Sequence, residues 1–481
     1  MRRDRARHSH HLHAASFKAV DLRLSDRPRC PRHYGGWYEP AVFVRRTKRT
    51  AFQREAHVSK HRVAVTGLGM VTALGADLPT TWRRLIAGEH GITPISYFDA
   101  SQYTCRVAAE VRPIPLAASG LNSVPLDYCR RGVRLFLRAS REAFADAQLE
   151  TSDLPRARIG VATGTSVNYL HMRFIRHCFA FRRPEPPQID LEKLAGGGEH
   201  CANSFYRQQG DFAGAVAAKA LGLGGPSLVT DTACAASAFA IGEAFRMIRR
   251  GQADAMVAGG ACSLVSPITI LAFAILGALS TNHDPDQASR PFDRRRDGFV
   301  MGEGGGAVVL ERLDQARARG ARIYGEVVGY GATMSAVNLT DPSPDGTSEG
   351  HAMRLALDES GLAREDIDYI AAHGTSTPKN DAVETAAIRR LFGAHAYRLM
   401  VSSNKGAIGH TISAAGVCNL ICALKAIKEQ WVPPTINYRD ADPQCDLDYV
   451  PNVARRSVVR AALVNSFAFG GQNAALAVRA V

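Results

Sequence analysis

The chain has 481 residues, 46% hydrophobic and 22% charged, with a formal net charge of +14. That length permits a sizeable buried core without disulfide or metal staples, and suits two to four domains or one large α/β unit built from repeats. Ten cysteines lack CxxC pairing and read as reduced thiols rather than a disulfide framework, and no apolar run reaches the ~18 residues that a bilayer span needs.

The charge is concentrated at one end. Residues 1–60 hold 15 Lys and Arg against 5 Asp and Glu, which leaves only +4 for the rest of the chain. A mildly basic body suits an acidic partner and does not require a polynucleotide. The segment 1–60 has no apolar h-region, so it is not a secretory signal. Its arginines fit a transit peptide, but Asp4, Asp21, Asp26 and Glu39 count against one. Its run of His8, His10, His11 and His13 could take up a metal adventitiously but has no defined partner ligands. We read residues 1–60 as a basic, disordered leader without catalytic duty.

Order is predicted from "HRVAVTGLGMVTALG", a β-branched strand over Arg62–Thr66 ending in glycines, followed by a helix at "TTWRRLIAG". Gly67 and Gly69 lack the third glycine of a dinucleotide fingerprint, and "GAIGHT" lacks the Gly-Lys-Ser/Thr ending of a phosphate loop. Strands then follow at "RIGVATGTS", "PSLVTDTAC", "ADAMVAGGAC" and "GGGAVVLERL". "RIYGEVVGYGATM" reopens the pattern with a strand and a glycine-ended turn. The second series continues with helix "GHAMRLALDESG", strands "DYIAAHG" and "MVSSNKG", helix "SAAGVCNLICALKAIKEQ" and closing strand "ALVNSFAFGG". Near-continuous apolar strands imply sheets covered on both faces, an α/β layered architecture, and the repeated order suggests an internal duplication. The predicted division is 61–320 and 321–481.

Four turns carry reactive side chains directly beside small residues. Cys234 opens the helix in "DTACAASAFAIGEAFRMI". Taken alone it reads as a small core hydrophobe, since free cysteine is among the most buried residue types. His373 follows a strand at Tyr369–Ala372, Lys405 and His410 share "SSNKGAIGHTISAAG", and Phe469 sits in "NSFAFGGQN". A lone histidine or turn lysine is usually structural, so the joint pattern carries the argument. A thiol at a helix N-terminus gains thiolate character from the macrodipole and can accept an acyl group. Two imidazoles can stabilise an enolate or oxyanion. Together they describe a carbon–carbon condensation site.

From about residue 61 onward the chain resembles the β-ketoacyl-acyl-carrier-protein synthases of the thiolase superfamily, elongating type, of fatty-acid or type II polyketide synthesis. The matching blocks are "VAVTGLGMVTALG", "GPSLVTDTACAAS", "ASRPFDRRRDGFVMGEGGG", "AAHGTSTPKNDAVE", "SSNKGAIGHTISAAG" and "NSFAFGGQN", in order and at family spacing. The resemblance implies a thiolase-like fold, a duplicated five-layer α-β-α-β-α architecture with mixed sheets. It implies Cys234 as nucleophile, His373 and His410 as catalytic histidines, and Lys405 paired with Glu384. Phe469 matches the gating phenylalanine, whose backbone N–H joins that of Cys234 as oxyanion hole. Thr375 and Thr377 match the threonines that bind the pantetheine arm. The implied partners are acyl carrier protein, acyl-ACP and malonyl-ACP, within a homodimer or a heterodimer with a ketosynthase-like subunit. No nucleic acid, membrane, metal or organic cofactor is implied beyond the carrier's phosphopantetheine, and the expected compartment is the cytoplasm.

Some features depart from the family. Ala235 and Ala236 stand where a hydroxyl residue is usual, with Ser237 as a possible substitute for the lost group. Gln472 replaces the threonine common after the two glycines. The segment 166–212, with Cys178 and Cys201, is unusually polar and proline-rich, which leaves acyl length and primer open. Arg294, Arg295 and Arg296 are candidates for steering an acidic carrier. Cys234 argues against a non-condensing chain-length-factor subunit. "NSFAFGGQN" lacks the second thiolase cysteine, and paired His373 and His410 differ from the His and Asn of acyl-CoA-accepting initiators.

Overall fold

The computed structural model describes residues 61–112, 130–166, 182–183, 188–190, 209–338 and 340–481. The leader, its histidine run, Cys178 and Cys201 lie outside the described residues.

Ten strands form one hydrogen-bonded sheet. In chain order they are β1 (Val63–Thr72), β2 (Ile159–Thr165), β3 (Ser227–Asp231), β4 (Ala255–Cys262) and β5 (Gly304–Arg312), then β6 (Gly325–Met334), β7 (Tyr369–Ala371), β8 (Met400–Ser402), β9 (Ala461–Phe467) and β10 (Gln472–Arg479). Outward from the middle, one half runs β1-β5-β4-β2-β3 and the other β6-β10-β9-β7-β8. The two paths are identical, and so are the strand directions. The first two pairings of each half are antiparallel and the last two parallel. The duplication suspected from element order is therefore exact in topology.

The halves are joined where Val63, Ala64 and Val65 pair antiparallel with Val327, Glu326 and Gly325. The expected mixed sheets are thus continuous through a short seam. Glu326, buried at that seam, accepts from Arg62 at 2.8 and 2.6 Å and from Arg479 at 3.0 and 2.9 Å. Two guanidinium groups balance one buried carboxylate and hold it below the usual carboxylate range despite its burial.

The helices that matter to the site are α1 (Arg131–Asp146), α2 (Phe212–Leu221), α3 (Ala236–Arg249), α4 (Pro267–Ile275), α5 (Thr347–Ser360), α6 (Pro378–Phe392) and α7 (Ala415–Glu429). Helices α3 and α7 pack on each other and on strands of both halves, while α1 and α2 cover one outer face and α5 and α6 the other. That is the five-layer order.

Two sequence readings need correction. Strand β1 does not stop at Thr66 but runs through "GLGM" to Thr72. Its glycines are packing residues rather than a turn. A Cβ on Gly67 would stand 2.0 Å from the carbonyl oxygen of Ala143, and one on Gly69 2.1 Å from that of Ala139, both on α1. The second half repeats the device: Gly329 and Gly331 would each place a Cβ 2.0 Å from a carbonyl of α5, at Ala356 and Ala352. A carboxylate completes each contact, Asp146 accepting from the Leu68 N–H and Glu359 from the Tyr330 N–H, both at 3.0 Å. The second correction is at the C-terminus. "ALVNSFAFGG" is followed by a further strand, β10, whose small residues "QNAALAVR" hid its strand character.

The close approach is testable. Gly69→Ala should lower stability by about 2–3 kcal/mol, because backbone rather than a flexible side chain must give way. Gly132→Ala, whose nearest neighbour would be 3.9 Å away, should be neutral or stabilising by about 0.5 kcal/mol in the same chemical unfolding experiment.

Candidate active site

Three neighbouring parallel strands, β8, β7 and β9, end on one edge of the sheet, and each hands over a reactive position. His373 follows β7, Lys405 follows β8 and Phe469 follows β9. The nucleophile candidate arrives from the other half. After β3 the chain makes a 3-10 turn at Ala233–Ala235 that runs straight into α3. Ala233 takes a left-handed φ of 45°, an unusual strain for alanine. It turns Cys234 into the interior, 4% exposed, where the backbone N–H groups of Phe469 and of Cys234 itself both face the sulfur.

The histidine rings stand edge to face, with centroids 5.4 Å apart. His410 Nδ1 accepts the Ile412 N–H at 3.2 Å, so a neutral His410 carries its proton on Nε2. Nδ1 of His373 has no hydrogen-bond partner among the described residues. An aromatic chain runs beside the pair: Phe299 meets His410 at 5.0 Å, Phe273 of α4 meets Phe299 at 5.7 Å, and Phe469 stacks on Phe273 at 6.2 Å. Cys234 belongs to the same apolar cluster, with Cys105, Cys262, Val265, Ile270 and Met301. The thiol therefore opens onto an apolar lining.

Burial dominates the electrostatics. It holds both imidazoles well below their usual range, with Lys405 pushing the same way. It also pushes the Cys234 thiol up to about 12, against the opposing pull of Lys405 and of the two N–H groups. The macrodipole argument from sequence gave the opposite sign. At this helix end desolvation outweighs the pull of Lys405 and of the two N–H groups, and the resting group is a thiol. Lys405 is brought down to about 8 by its own burial, with Glu384 and Cys234 resisting.

The expected Lys405–Glu384 pair is not a contact. Glu384 accepts from the N–H groups of His373 and Gly374 at 2.9 and 2.8 Å and from the Asn465 amide at 2.9 Å. The Lys405 ammonium has no hydrogen-bond partner among the described residues and couples to Glu384 only through space. Glu384 thus holds the turn that presents His373. Thr375 and Thr377 come together, their hydroxyls 2.9 Å apart.

Two further expectations fail. Ser237 does not replace the lost hydroxyl at the helix start, because its oxygen accepts the Val417 N–H at 3.0 Å and ties α3 to α7. Arg296 is 7% exposed and occupied internally, so it cannot steer a carrier, whereas Arg294 and Arg295 are exposed. Sequence reasoning missed Asn465 and Asp381. Asp381 lies three residues before Glu384 on one buried face of α6, and that acidic pair at helical spacing was the available signal.

Residues 60–316 match the model of the "Beta-ketoacyl synthase, N-terminal domain", and residues 324–439 that of the "Beta-ketoacyl synthase, C-terminal domain". The chain is 43% identical to 3-oxoacyl-[acyl-carrier-protein] synthase 2 of Synechocystis over 88% of this chain and 99% of that protein. A beta-ketoacyl synthase from Burkholderia phymatum superposes with a TM-score of 0.77 at 33% identity, over 88% of this chain and 100% of the other. A ketosynthase solved with its type II PKS acyl-carrier protein and bound to the hexaketide gives 0.77 at 31% identity, over 88% and 100%.

The raised thiol pKa has a direct readout in alkylation of Cys234 by iodoacetamide. Only the thiolate reacts, so the rate should climb about tenfold per pH unit from pH 6 to 8 without a plateau. Above pH 8 Lys405 loses its charge and with it the pull toward thiolate, so the slope should become shallower. Lys405→Met should react more slowly at pH 7 and show no break near 8. A plateau below pH 8 in the unaltered protein would show that desolvation does not dominate.

Proposed function

The chain belongs to the beta-ketoacyl synthase family, and from that premise we propose a decarboxylative Claisen condensation with Cys234 as the acyl carrier and His373 and His410 as the decarboxylation site. It is a condensing acyltransferase of 3-oxoacyl-[acyl-carrier-protein] synthase type. The observation that supports this assignment of residues best is the pair of N–H groups, of Cys234 and Phe469, converging on one buried sulfur beside two neutral imidazoles.

In the first half-reaction Cys234 Sγ attacks the thioester carbonyl of an acyl-carrier protein. The new S–C bond forms, the old one breaks, and the pantetheine thiol leaves with the proton of Cys234. The two N–H groups are placed to bind the carbonyl oxygen as negative charge builds on it. Malonyl-carrier then enters, its arm held by Thr375 and Thr377. Breaking its C–C bond releases carbon dioxide and leaves an enolate, whose oxygen accepts hydrogen bonds from the histidines. Neutral imidazoles donate there without opposing loss of carbon dioxide, and His410 offers its Nε2–H. The enolate carbon attacks the acyl-Cys234 carbonyl, the S–C bond breaks, and the departing Cys234 thiolate takes up from solvent the one proton that the overall reaction consumes. The product is a 3-ketoacyl chain two carbons longer.

Lys405, a buried cation with no hydrogen-bond partner among the described residues, adds to the burial that keeps both imidazoles neutral, and Glu384 anchors the His373 turn. The reaction as written uses no metal and no organic cofactor beyond the carrier's phosphopantetheine. Exposed Arg294 and Arg295 fit an acidic carrier surface, although Arg295 also pairs with Asp440 at 2.9 Å. We assign a homodimer, since β3, which leads to Cys234, is a half-exposed edge that pairs with no further strand among the described residues and could pair with a second copy. Among the described residues no helix is long and apolar enough to cross a membrane.

Intact-mass spectrometry with a panel of acyl-carrier proteins tests the nucleophile. One acyl mass should appear on the protein and be absent from Cys234→Ala, and a folded protein that takes up no chain would overturn the reading. His373→Ala and His410→Ala should still acylate but condense about 10²–10³-fold more slowly, which separates loading from decarboxylation.

A further inference from the structure

Arg296 is a buried guanidinium, and each of its three nitrogens donates to a backbone or carboxylate oxygen. Nε donates to the Thr377 carbonyl at 3.1 Å and Nη2 to the Pro378 carbonyl at 3.0 Å. Nη1 donates to the Asp293 carbonyl at 2.9 Å and to Asp442 at 2.5 Å. The Asp381 carboxylate stands 4.0 Å from Nε. One side chain therefore grips the first turn of α6 from outside.

What it grips is a strained turn. Between His373 and Pro378, Gly374 has φ 38° and Ser376 φ 66°, a conformation that L side chains rarely adopt. Such backbone persists only where its surroundings over-determine it. Asp381 supplies one restraint, accepting the N–H groups of Thr375 at 2.9 Å, Ser376 at 3.1 Å and Phe292 at 2.7 Å. The segment that carries Arg296 supplies others: Arg290 N–H donates to Ser376 Oγ at 2.9 Å and Gly298 N–H to the Ser376 carbonyl at 3.0 Å. Within this frame Thr375 and Thr377 bring their hydroxyls to 2.9 Å. Thr377 is also the N-cap of α6, accepting the Asn380 N–H at 3.3 Å.

We propose that Arg296 is a positioning residue for the carrier's pantetheine arm: it fixes the Thr375–Thr377 rung and so sets affinity for the arm without touching it. This rests on the reading of the two threonines given above. A guanidinium is suited to the task because its planar fork reaches several fixed oxygens at once, which a lysine ammonium cannot do from one position. The geometry also explains why one of three consecutive arginines is turned inward while its neighbours face solvent.

The test compares Arg296→Gln and Arg296→Lys with the unaltered protein in steady-state condensation, using malonyl-carrier protein and free malonyl-pantetheine, alongside iodoacetamide alkylation of Cys234. For Arg296→Gln, KM should rise about tenfold for both donors while kcat stays within about threefold, and alkylation should be unchanged. Arg296→Lys should recover part of the KM. Asp442→Asn, which removes only the outer ion pair, should raise KM about threefold and serves if Arg296→Gln fails to fold. An unchanged KM in a folded variant, or a loss confined to kcat and alkylation, would overturn the proposal and leave the parent reading standing. Failure of the unaltered protein to accept any acyl group would remove the parent reading and this proposal with it.

Discussion

The arrangement depends on how closely two helix starts can approach. The N-terminal turns of α3 and α7 meet in the central layer, and the residues between them are almost all small. A Cβ on Gly416 would lie 2.8 Å from Ala238, and one on Gly164 2.3 Å from the Ser237 nitrogen. Gly260 has the carbonyl oxygens of Gly164 and Ser413 within 2.8 Å of where its Cβ would be. Ala235 and Ala236 are fully buried in the same contact. Their smallness is therefore a packing requirement, and a hydroxyl there would need a partner in an interior that offers few. Because the two starts touch, the Cys234 thiol from one half and the His373 and His410 imidazoles from the other all lie within the field of the same buried Lys405.

Burial then sets the chemistry. Water is the usual solvent of a thiolate, an imidazolium and an ammonium, and its removal drives Cys234, His373, His410 and Lys405 toward their neutral forms. The resting site holds its charge in reserve. Under the proposed reaction, negative charge would build on an oxygen and not on sulfur beforehand. A buried cation with no hydrogen-bond partner among the described residues is costly, and the Glu384 carboxylate offsets part of that cost through space.

Much of this was legible in the sequence, for identifiable reasons. Strand ends carrying Cys234, His373, Lys405 and Phe469 could be read because β-branched runs ending in small residues are a local signal, although the turn at Phe469 leads into strand β10 and not into a helix. The doubled topology was visible only as a repeated order of elements, since pairing partners such as Val63 and Val327 are set by tertiary contact. "GLGM" was misread as a turn because a glycine demanded by an approaching helix looks, in one dimension, like a glycine demanded by a bend. The sign of the Cys234 shift was misread because burial is not a local property. Arg296 and Arg295 are adjacent in sequence and opposite in role for the same reason.

The seam between β1 and β6 bears on how far each half can stand alone. Each half has its own buried layer beneath its outer helices, but the largest apolar cluster is held in common, drawing on Val63, Met70 and Ile241 from one half and Leu420, Val464 and Val478 from the other. Neither half could keep the inner face of its sheet dry if the other unfolded. The two-part family description therefore divides the sequence and not the stability, and melting should engage both parts at once. The covalent link between the halves makes permanent an apolar contact that two separate pieces would have to find by association.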